Sequence, residues 1–122
     1  MRTMLAIAVG AAVGANLRYL ISSWASIRLG ADFPYGTLIV NLIGSLAVGI
    51  FAGLVLRMPV LEPWRALVVT GFLGGLTTFS TFSYELMRLI ERGQMAAAFG
   101  YLTLSVLLGL AAASFGLLLA RG

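Results

Sequence analysis

The sequence has no cysteine, no histidine and no lysine, and only four of its 122 residues are acidic. Without cysteine there are no disulfides and no thiol redox chemistry, and without histidine as well the usual ligands for zinc, copper and haem iron are missing. Histidine general bases are excluded too. The four acids, Asp32, Glu62, Glu85 and Glu91, provide little for hydrolytic chemistry. The sequence therefore does not predict an enzyme.

What the chain has instead is apolar residues: 61% are hydrophobic and only 10% are charged. A soluble domain of this size needs a more polar surface. Four apolar segments are each long enough for a helix that crosses a bilayer, which takes roughly 20 residues. We predict an all-α integral membrane protein, with residues 1–122 forming a single four-span transmembrane domain. The segments are Thr3–Ala25, Gly36–Leu56, Arg65–Ile90 and Met95–Ala120.

The eight basic residues are all arginines, and most lie at the ends of the apolar segments. That distribution marks bilayer interfaces and lacks the basic stripe of a nucleic-acid-binding surface, so we expect lipid and no nucleic acid as a partner. With a cytoplasmic N-terminus, Arg2, Arg57, Arg65 and Arg121 share one side. Arg28, Arg88 and Arg92 lie on the other. This balance predicts insertion in both orientations; the alternative is one orientation set by another factor.

Small residues recur at four-residue spacing, as in Gly10-xxx-Gly14, Gly49-xxx-Gly53 and Gly71-xxx-Gly75. Such patterns let membrane helices pack closely, and the first one favours a packed span over a signal peptide. Close packing leaves little lumen in a single bundle, so we expect a functional unit of more than one chain. With two orientations available, an antiparallel dual-topology homodimer is the natural closed arrangement.

The third segment contains a run of polar residues where aliphatic ones would be expected. Gly74-Gly75 weakens the helix, and hydroxyl residues follow it around Phe79 and Phe82. Unsatisfied backbone groups are costly in hydrocarbon, so this helix is predicted to break near its middle and to be buried in protein or to line a polar path. Released carbonyls could bind Na⁺ where two copies meet; the alternative is a glycine kink satisfied by neighbouring hydroxyls. The hydroxyl residues are Thr77, Thr78, Ser80, Thr81 and Ser83.

The polar and aromatic groups favour a small anion as ligand. Thr37, Asn41 and Ser45 form one stripe along the second segment, and the asparagine amide can donate hydrogen bonds. The edges of the Phe79 and Phe82 rings carry partial positive charge, whereas a cation would need carboxylates or converging carbonyls. The alternatives are that the rings pack in the core and that Asn41 bonds to a neighbouring helix.

Four further residues have two interpretations each. Tyr101 and Ser105 form a polar pair on the fourth segment, although Tyr101 could be an interfacial anchor. Arg18 could snorkel to the interface or lend positive potential to an anion-attracting vestibule. Glu85, the one acid within a span, could lie near a pore mouth or pair with Arg88.

Three stretches, Gly14–Tyr19, Pro34–Ser45 and Gly71–Phe82, closely resemble the signature stretches of the small microbial fluoride channels, called Fluc or CrcB. The resemblance covers the whole chain. It implies a four-span subunit of the plasma (inner) membrane whose third helix is broken. It also implies an antiparallel dual-topology homodimer with two narrow pores, each lined by both subunits.

The resemblance also implies roles for individual residues. The carbonyls of Gly74 and Thr77 match positions that hold a structural Na⁺ at the dimer interface, and Arg18 matches a vestibule residue. Gly109 replaces a position where a further hydroxyl would be expected. The expected pore lining, taking the resemblance and the polar stripe together, is Thr37, Asn41, Phe79, Ser80, Thr81, Phe82, Ser83, Glu85, Tyr101 and Ser105.

The expected function is passive, fluoride-selective export that protects a cell against fluoride. One rival is a small four-span, dual-topology multidrug or cation exporter coupled to protons. That class should carry an acid deep in the first span, and this chain has none there. A second rival is a membrane assembly subunit that transports nothing.

Overall fold

The computed structural model describes residues 1–122 and contains only helices, turns and connectors, without a strand. Four helical stretches are long and apolar enough to cross a membrane, which confirms the all-α and four-span predictions. The first helix extends four residues beyond the predicted end at Ala25. The α-helices are α1 (Arg2–Leu29), α2 (Tyr35–Arg57), α3 (Gly74–Leu76), α4 (Ser80–Glu91) and α5 (Met95–Arg121).

The third span, Ala66–Glu91, consists of several pieces. It follows a 3₁₀-helix at Pro59–Trp64 and begins as a π-helix at Ala66–Leu73, which continues into the single turn of α3. Thr77 is then extended, with φ −90° and ψ 161°. Helical structure resumes with α4 at Ser80. Residues 77–79 therefore connect two helical pieces within one membrane span.

Neighbouring spans pack in two parallel pairs, and glycines form the contacts. In the first pair, Gly10 and Gly14 of α1 lie against the backbone of Phe72, and Gly75 lies against Ala11. A Cβ atom at Gly75 would come 2.6 Å from the Ala11 carbonyl oxygen, a distance that real Cβ atoms do not adopt. The predicted Gly-xxx-Gly patterns of α1 and the third span thus pack against each other within one chain.

The second pair is α2 with α5, which run side by side in the same direction. Gly49 lies against Ala113, and Gly53 against Leu117. Because small residues occupy these positions, the two backbones approach closely along the second half of α2. The first half of the same pair carries polar side chains instead, and that half contributes to the site described below.

The connectors are short and charged. Gly30 (φ 91°) ends α1 and Gly93 (φ 76°) follows α4, both in the left-handed region that glycine tolerates. An ion pair lies at each end of the third span: Arg65 Nε to Glu62 Oε1 at 2.8 Å, and Arg88 to Glu91 at 3.0 Å. Hydrogen bonding from Arg65 holds the pKa of the Glu62 carboxyl below its ordinary value, so this exposed pair stays ionised.

Most of the apolar surface is not buried within one chain. Within the most apolar window of each span, 11–28% of residues are buried. Val40, Leu76 and Tyr101 are the largest fully buried side chains. Water does not accommodate so much exposed apolar surface, so lipid or a second copy of the chain has to cover it.

Candidate functional site

A groove of about 550 Å³ lies between α2, the third span and α5. No charged side chain lines it. The groove is open along one side, since the Phe79 side chain there is 78% exposed. Six of the residues predicted for a pore or a metal site line it together: Asn41, Gly74, Thr77, Phe79, Phe82 and Ser105.

The two phenylalanines of the groove occupy different environments. Their ring centroids lie 5.8 Å apart, with planes inclined at 47°. Phe79 is exposed, whereas Phe82 is 7% exposed and belongs to a buried cluster with Leu89 and Tyr101. The Phe82 centroid lies 5.0 Å from that of Tyr101. Phe82 therefore lines the groove and also packs in the core, as one of the two interpretations of its sequence position expected.

Asn41 fixes the connecting segment of the third span by two hydrogen bonds. Its Nδ2 donates to the Thr78 carbonyl oxygen at 2.9 Å, and its Oδ1 accepts from the Thr78 amide at 2.8 Å. This side chain thus replaces both backbone partners that a continuous helix would give Thr78. Since an asparagine amide has two N–H groups, one donor remains beside the groove.

Other side chains bond to backbone groups on either side of the same segment. Arg18 Nε donates to the Gly75 carbonyl oxygen at 3.0 Å. Thr77 Oγ1 donates to the Leu73 carbonyl oxygen at 2.8 Å, and Thr78 Oγ1 accepts from the Thr81 amide at 3.2 Å. Several of the predicted hydroxyls and the arginine therefore compensate for the helical hydrogen bonds that this segment lacks.

Not every backbone group of the segment has a partner. The carbonyl oxygen of Thr77 accepts no hydrogen bond within the chain, and the Thr78 amide, which would be the helical partner of the Gly74 carbonyl, is bonded to Asn41 instead. Gly74 and Thr77 also line the groove. Carbonyl oxygens are hard, uncharged ligands of the kind that Na⁺ takes from unwound helices. The donor set of the segment fits a sodium ion.

Ser105 Oγ is the one buried side-chain polar atom without a hydrogen-bond partner. It lines the groove from α5. A buried hydroxyl without a partner destabilises a protein by about 1–3 kcal/mol, so such atoms call for an explanation. Here the hydroxyl can donate to a species that occupies the groove.

Beyond Phe82 lies a polar pair that does not line the groove. The Tyr101 hydroxyl donates to Glu85 Oε1 at 3.0 Å, and Tyr101 is fully buried. Glu85 lines two smaller pockets: one of about 110 Å³ that also contacts Thr37, and one of about 260 Å³ that also contacts Arg88. Glu85 thus bonds to Tyr101, while Arg88 pairs with Glu91.

The remaining predicted residues lie near the groove without lining it. Ser83 Oγ donates to the Phe79 carbonyl oxygen at 3.0 Å, and Ser80 Oγ is 3.5 Å from Thr78 Oγ1. The site prediction omitted seven residues that line the groove, among them Gly44 and Ser45. Ser45 already belonged to the polar stripe of the sequence. Gly44 has no such signal, yet a side chain there would overlap the Thr77 methyl group.

These features define a small, multi-pass α-helical membrane protein with an uncharged groove between α2, the third span and α5. A model of the CrcB-like protein family, described as Camphor Resistance (CrcB), matches residues 5–117. The chain belongs to this family.

Several relatives are similar over nearly their whole length, and each is named fluoride-specific ion channel FluC. The protein of Chloroflexus aurantiacus (strain J-10-fl) is 50% identical over 122 residues, which cover 99% of this chain and 97% of the relative. That of Roseiflexus sp. (strain RS-1) is 51% identical, covering 97% and 96%. That of Erythrobacter litoralis is 46% identical, covering 94% and 89%.

Proposed function

We propose that this protein is a fluoride-selective ion channel that exports fluoride passively and protects the cell against it. The relatives' names support this function, and so does the groove. The observation that carries it is the Ser105 hydroxyl, which is buried without a partner in a groove free of charged side chains. A channel needs no catalytic residues, and the chain functions as a channel rather than an enzyme.

The groove suits a small, strongly hydrated anion. Conduction requires groups that replace the water of the ion at modest cost, at more than one position. The free N–H of Asn41, the Ser105 hydroxyl and the edges of the Phe79 and Phe82 rings supply such groups. No carboxylate lines the groove to repel an anion or hold a cation.

A single chain leaves this pathway open, because Phe79 is 78% exposed on the side of the groove. We propose that a second, inverted copy closes it, giving an antiparallel dual-topology homodimer with lipid around its outer faces. Since the chain has no cysteine, a single cysteine at Gln94 would report orientation without background. Labelling of that cysteine from both sides of sealed vesicles is expected, and labelling from one side only contradicts dual topology.

A structural sodium ion belongs to the same proposal. The Thr77 carbonyl lacks a partner, the Gly74 carbonyl lacks its usual helical partner, and both residues line the face that a second copy would cover. Two inverted copies would bring two such pairs together around one cation. The ion would hold the dimer together and satisfy carbonyls that hydrocarbon cannot.

The route beyond the groove follows the polar residues around Phe82. Tyr101, bonded to Glu85, and Thr37 continue it toward the start of α2. The hydroxyls of α4 extend the polar surface that faces the second copy. Arg18 supports this route through its hydrogen bond to the Gly75 carbonyl. The proposed residues of α4 are Ser80, Thr81 and Ser83.

The location fixes the direction of transport. The four spans place the chain in the membrane, and in the plasma membrane a potential that is negative inside drives an anion outward. Neutral HF enters a cell from acidic surroundings and dissociates inside. An anion channel is therefore sufficient to remove the fluoride from the cell. No coupling carboxylate is needed.

A flux assay tests this function. Purified protein in liposomes loaded with potassium fluoride and treated with valinomycin should release fluoride to an electrode without a proton gradient, whereas chloride-loaded vesicles should release little. Release only with a proton gradient would indicate a coupled exporter. An inert protein would indicate an assembly subunit. Either result contradicts the channel.

A further inference from the structure

Side chains from other helices bond to the segment at residues 77–79 and to the turn of α3 just before it. Thr77 is extended, and neither the Thr78 amide nor its carbonyl is bonded to another backbone group. In a membrane, a segment of this kind has to take its partners from neighbouring spans. Two residues distant in sequence provide partners here: Asn41 from α2 bonds to Thr78 within the segment, and Arg18 from α1 bonds to Gly75 just before it.

We propose that Arg18 and Asn41 are positioning residues that clamp this segment and thereby fix Phe79 and Phe82 at the groove. Arg18 acts in this clamp as a hydrogen-bond donor, and its positive charge is dispensable. The clamp rests on the proposed channel function only for its effect on fluoride flux. Its effect on the order of the segment is independent of that function.

The contacts of Arg18 favour the role of donor. Nε, the nitrogen within the side chain, donates to the Gly75 carbonyl oxygen at 3.0 Å. Arg18 forms no ion pair with any of the four acids, and it does not line the groove. Gly75 belongs to α3, whose last carbonyls have no following turn to bond to. One neutral N–H at the position of Nε would satisfy the same carbonyl.

Asn41 holds the next part of the segment. Its two bonds to Thr78 fix the plane of that peptide from α2. Thr78 Oγ1 in turn accepts from the Thr81 amide in the first turn of α4. Because Phe79 follows Thr78 directly and Phe82 lies on α4, the position of both rings depends on the Asn41 amide.

Three substitutions of Arg18 separate the donor from the charge. Gln places an amide nitrogen the same number of bonds from the backbone as arginine Nε, without charge. Met has a similar length and no donor. Lys keeps the charge but places its nitrogen one bond further out. Each variant is measured for fluoride release from liposomes, and for hydrogen exchange of the peptide that spans Gly74–Phe82 in the purified protein.

The clamp predicts that R18Q keeps fluoride release within about twofold of the wild type and keeps slow exchange of the segment. R18M should lose at least about fivefold in flux, the size expected for one hydrogen bond, and should exchange faster. If R18Q falls as far as R18M while R18K stays near the wild type, charge is the relevant property and the proposal is wrong. Wild-type flux and exchange in all three variants would also overturn it.

Hydrogen exchange in a variant of Asn41 tests the role of that residue in the clamp. N41L removes both bonds to Thr78, so exchange at residues 77–79 should rise at least about tenfold, while exchange in the middle of α5 stays unchanged. An unchanged rate at Thr78 contradicts the role of Asn41. If the wild-type protein releases no fluoride, the proposed function fails, but these exchange rates still decide whether the clamp exists.

Discussion

At the scale of the residue, Phe82 connects the groove to the buried core. Its ring lines the groove beside Phe79 and packs against Tyr101 in the buried cluster. Because this packing restricts rotation of the Phe82 ring, the ring edge keeps a fixed direction. This arrangement suits the weak, directional attraction between a ring edge and an anion, which falls off when the ring can turn away.

Replacing this ring should reduce conduction without disrupting assembly. F82I keeps a large apolar side chain for the core and removes the ring edge, so fluoride release should fall at least about tenfold, corresponding to roughly 1.4 kcal/mol. Size-exclusion chromatography should show the same oligomer as the wild type. F99I is the control, because Phe99 is 72% exposed on α5 and does not line the groove. Equal flux in F82I and the wild type would remove the rings from the mechanism.

The sequence located the polar residues of the site but not their partners. The hydroxyls of residues 77–83 predicted an unusual segment, because local composition alone shows that a continuous apolar helix is disfavoured there. The bonds from Arg18 to Gly75 and from Asn41 to Thr78 join residues far apart in the chain. Such contacts depend on how the spans pack, and residue spacing within one span carries no information about them.

At the scale of the element, α2 and α5 form a parallel ladder of facing positions. Ser45 faces Gly109, Gly49 faces Ala113, and Gly53 faces Leu117. One turn before Ser45, Asn41 and Ser105 line the groove together. The ladder is polar toward the start of α2 and consists of small apolar residues toward its end. Ser45 therefore stands alone at the last polar position, where α5 has glycine.

This ladder predicts that a hydroxyl can be moved from one helix to the other. S45A removes the groove hydroxyl at the last polar position along α2. Fluoride release should therefore fall about fivefold, as for one lost hydrogen bond. A Cβ at Gly109 would lie 3.6 Å from Ser45 Oγ, an ordinary contact, so serine fits there. The double variant S45A/G109S should regain most of the flux.

The matched control for this exchange is S114A, since Ser114 is exposed on α5 and lies outside the groove. Its flux should equal that of the wild type. Two results would contradict the ladder as a shared polar lining: wild-type flux in S45A, or a double variant that is no better than S45A.

Helix positions were predictable from the sequence, but some details were not. The apolar segments gave the four spans because length and composition are sufficient to identify them. The first helix continues to Leu29 because nothing breaks it before Gly30, whose φ of 91° ends it. The π-helix at Ala66–Leu73 has no sequence signal, since its apolar residues suit an α-helix equally well.

At the scale of the whole molecule, the charges are nearly symmetric between the two ends of the bundle. One ion pair lies at each end of the third span, Glu62–Arg65 and Arg88–Glu91. Neither end therefore has a marked excess of free arginine. This symmetry is what a chain needs if it is to insert both ways and meet an inverted copy of itself.

Exchanging the cation should weaken such an assembly. If a sodium ion joins two copies through Gly74 and Thr77, replacing Na⁺ with a large organic cation at constant ionic strength should lower the dimer fraction at high dilution and slow fluoride release. Restoring Na⁺ should reverse both changes. An identical dimer fraction and flux in the two salts would count against the ion.

The polar part of the ladder has a consequence for current. From Thr37 to Ser45 it extends only about 12 Å, at 1.5 Å per residue, which is well under half of a hydrocarbon core of roughly 30 Å. One copy thus supplies a polar lining from a single leaflet, and in the proposed dimer an inverted copy would supply the other. The twofold axis of that dimer would lie in the membrane plane and exchange the two leaflets, so any rectification in one conduit would be cancelled by the other conduit. Total current in equal solutions must then be the same at positive and negative voltage.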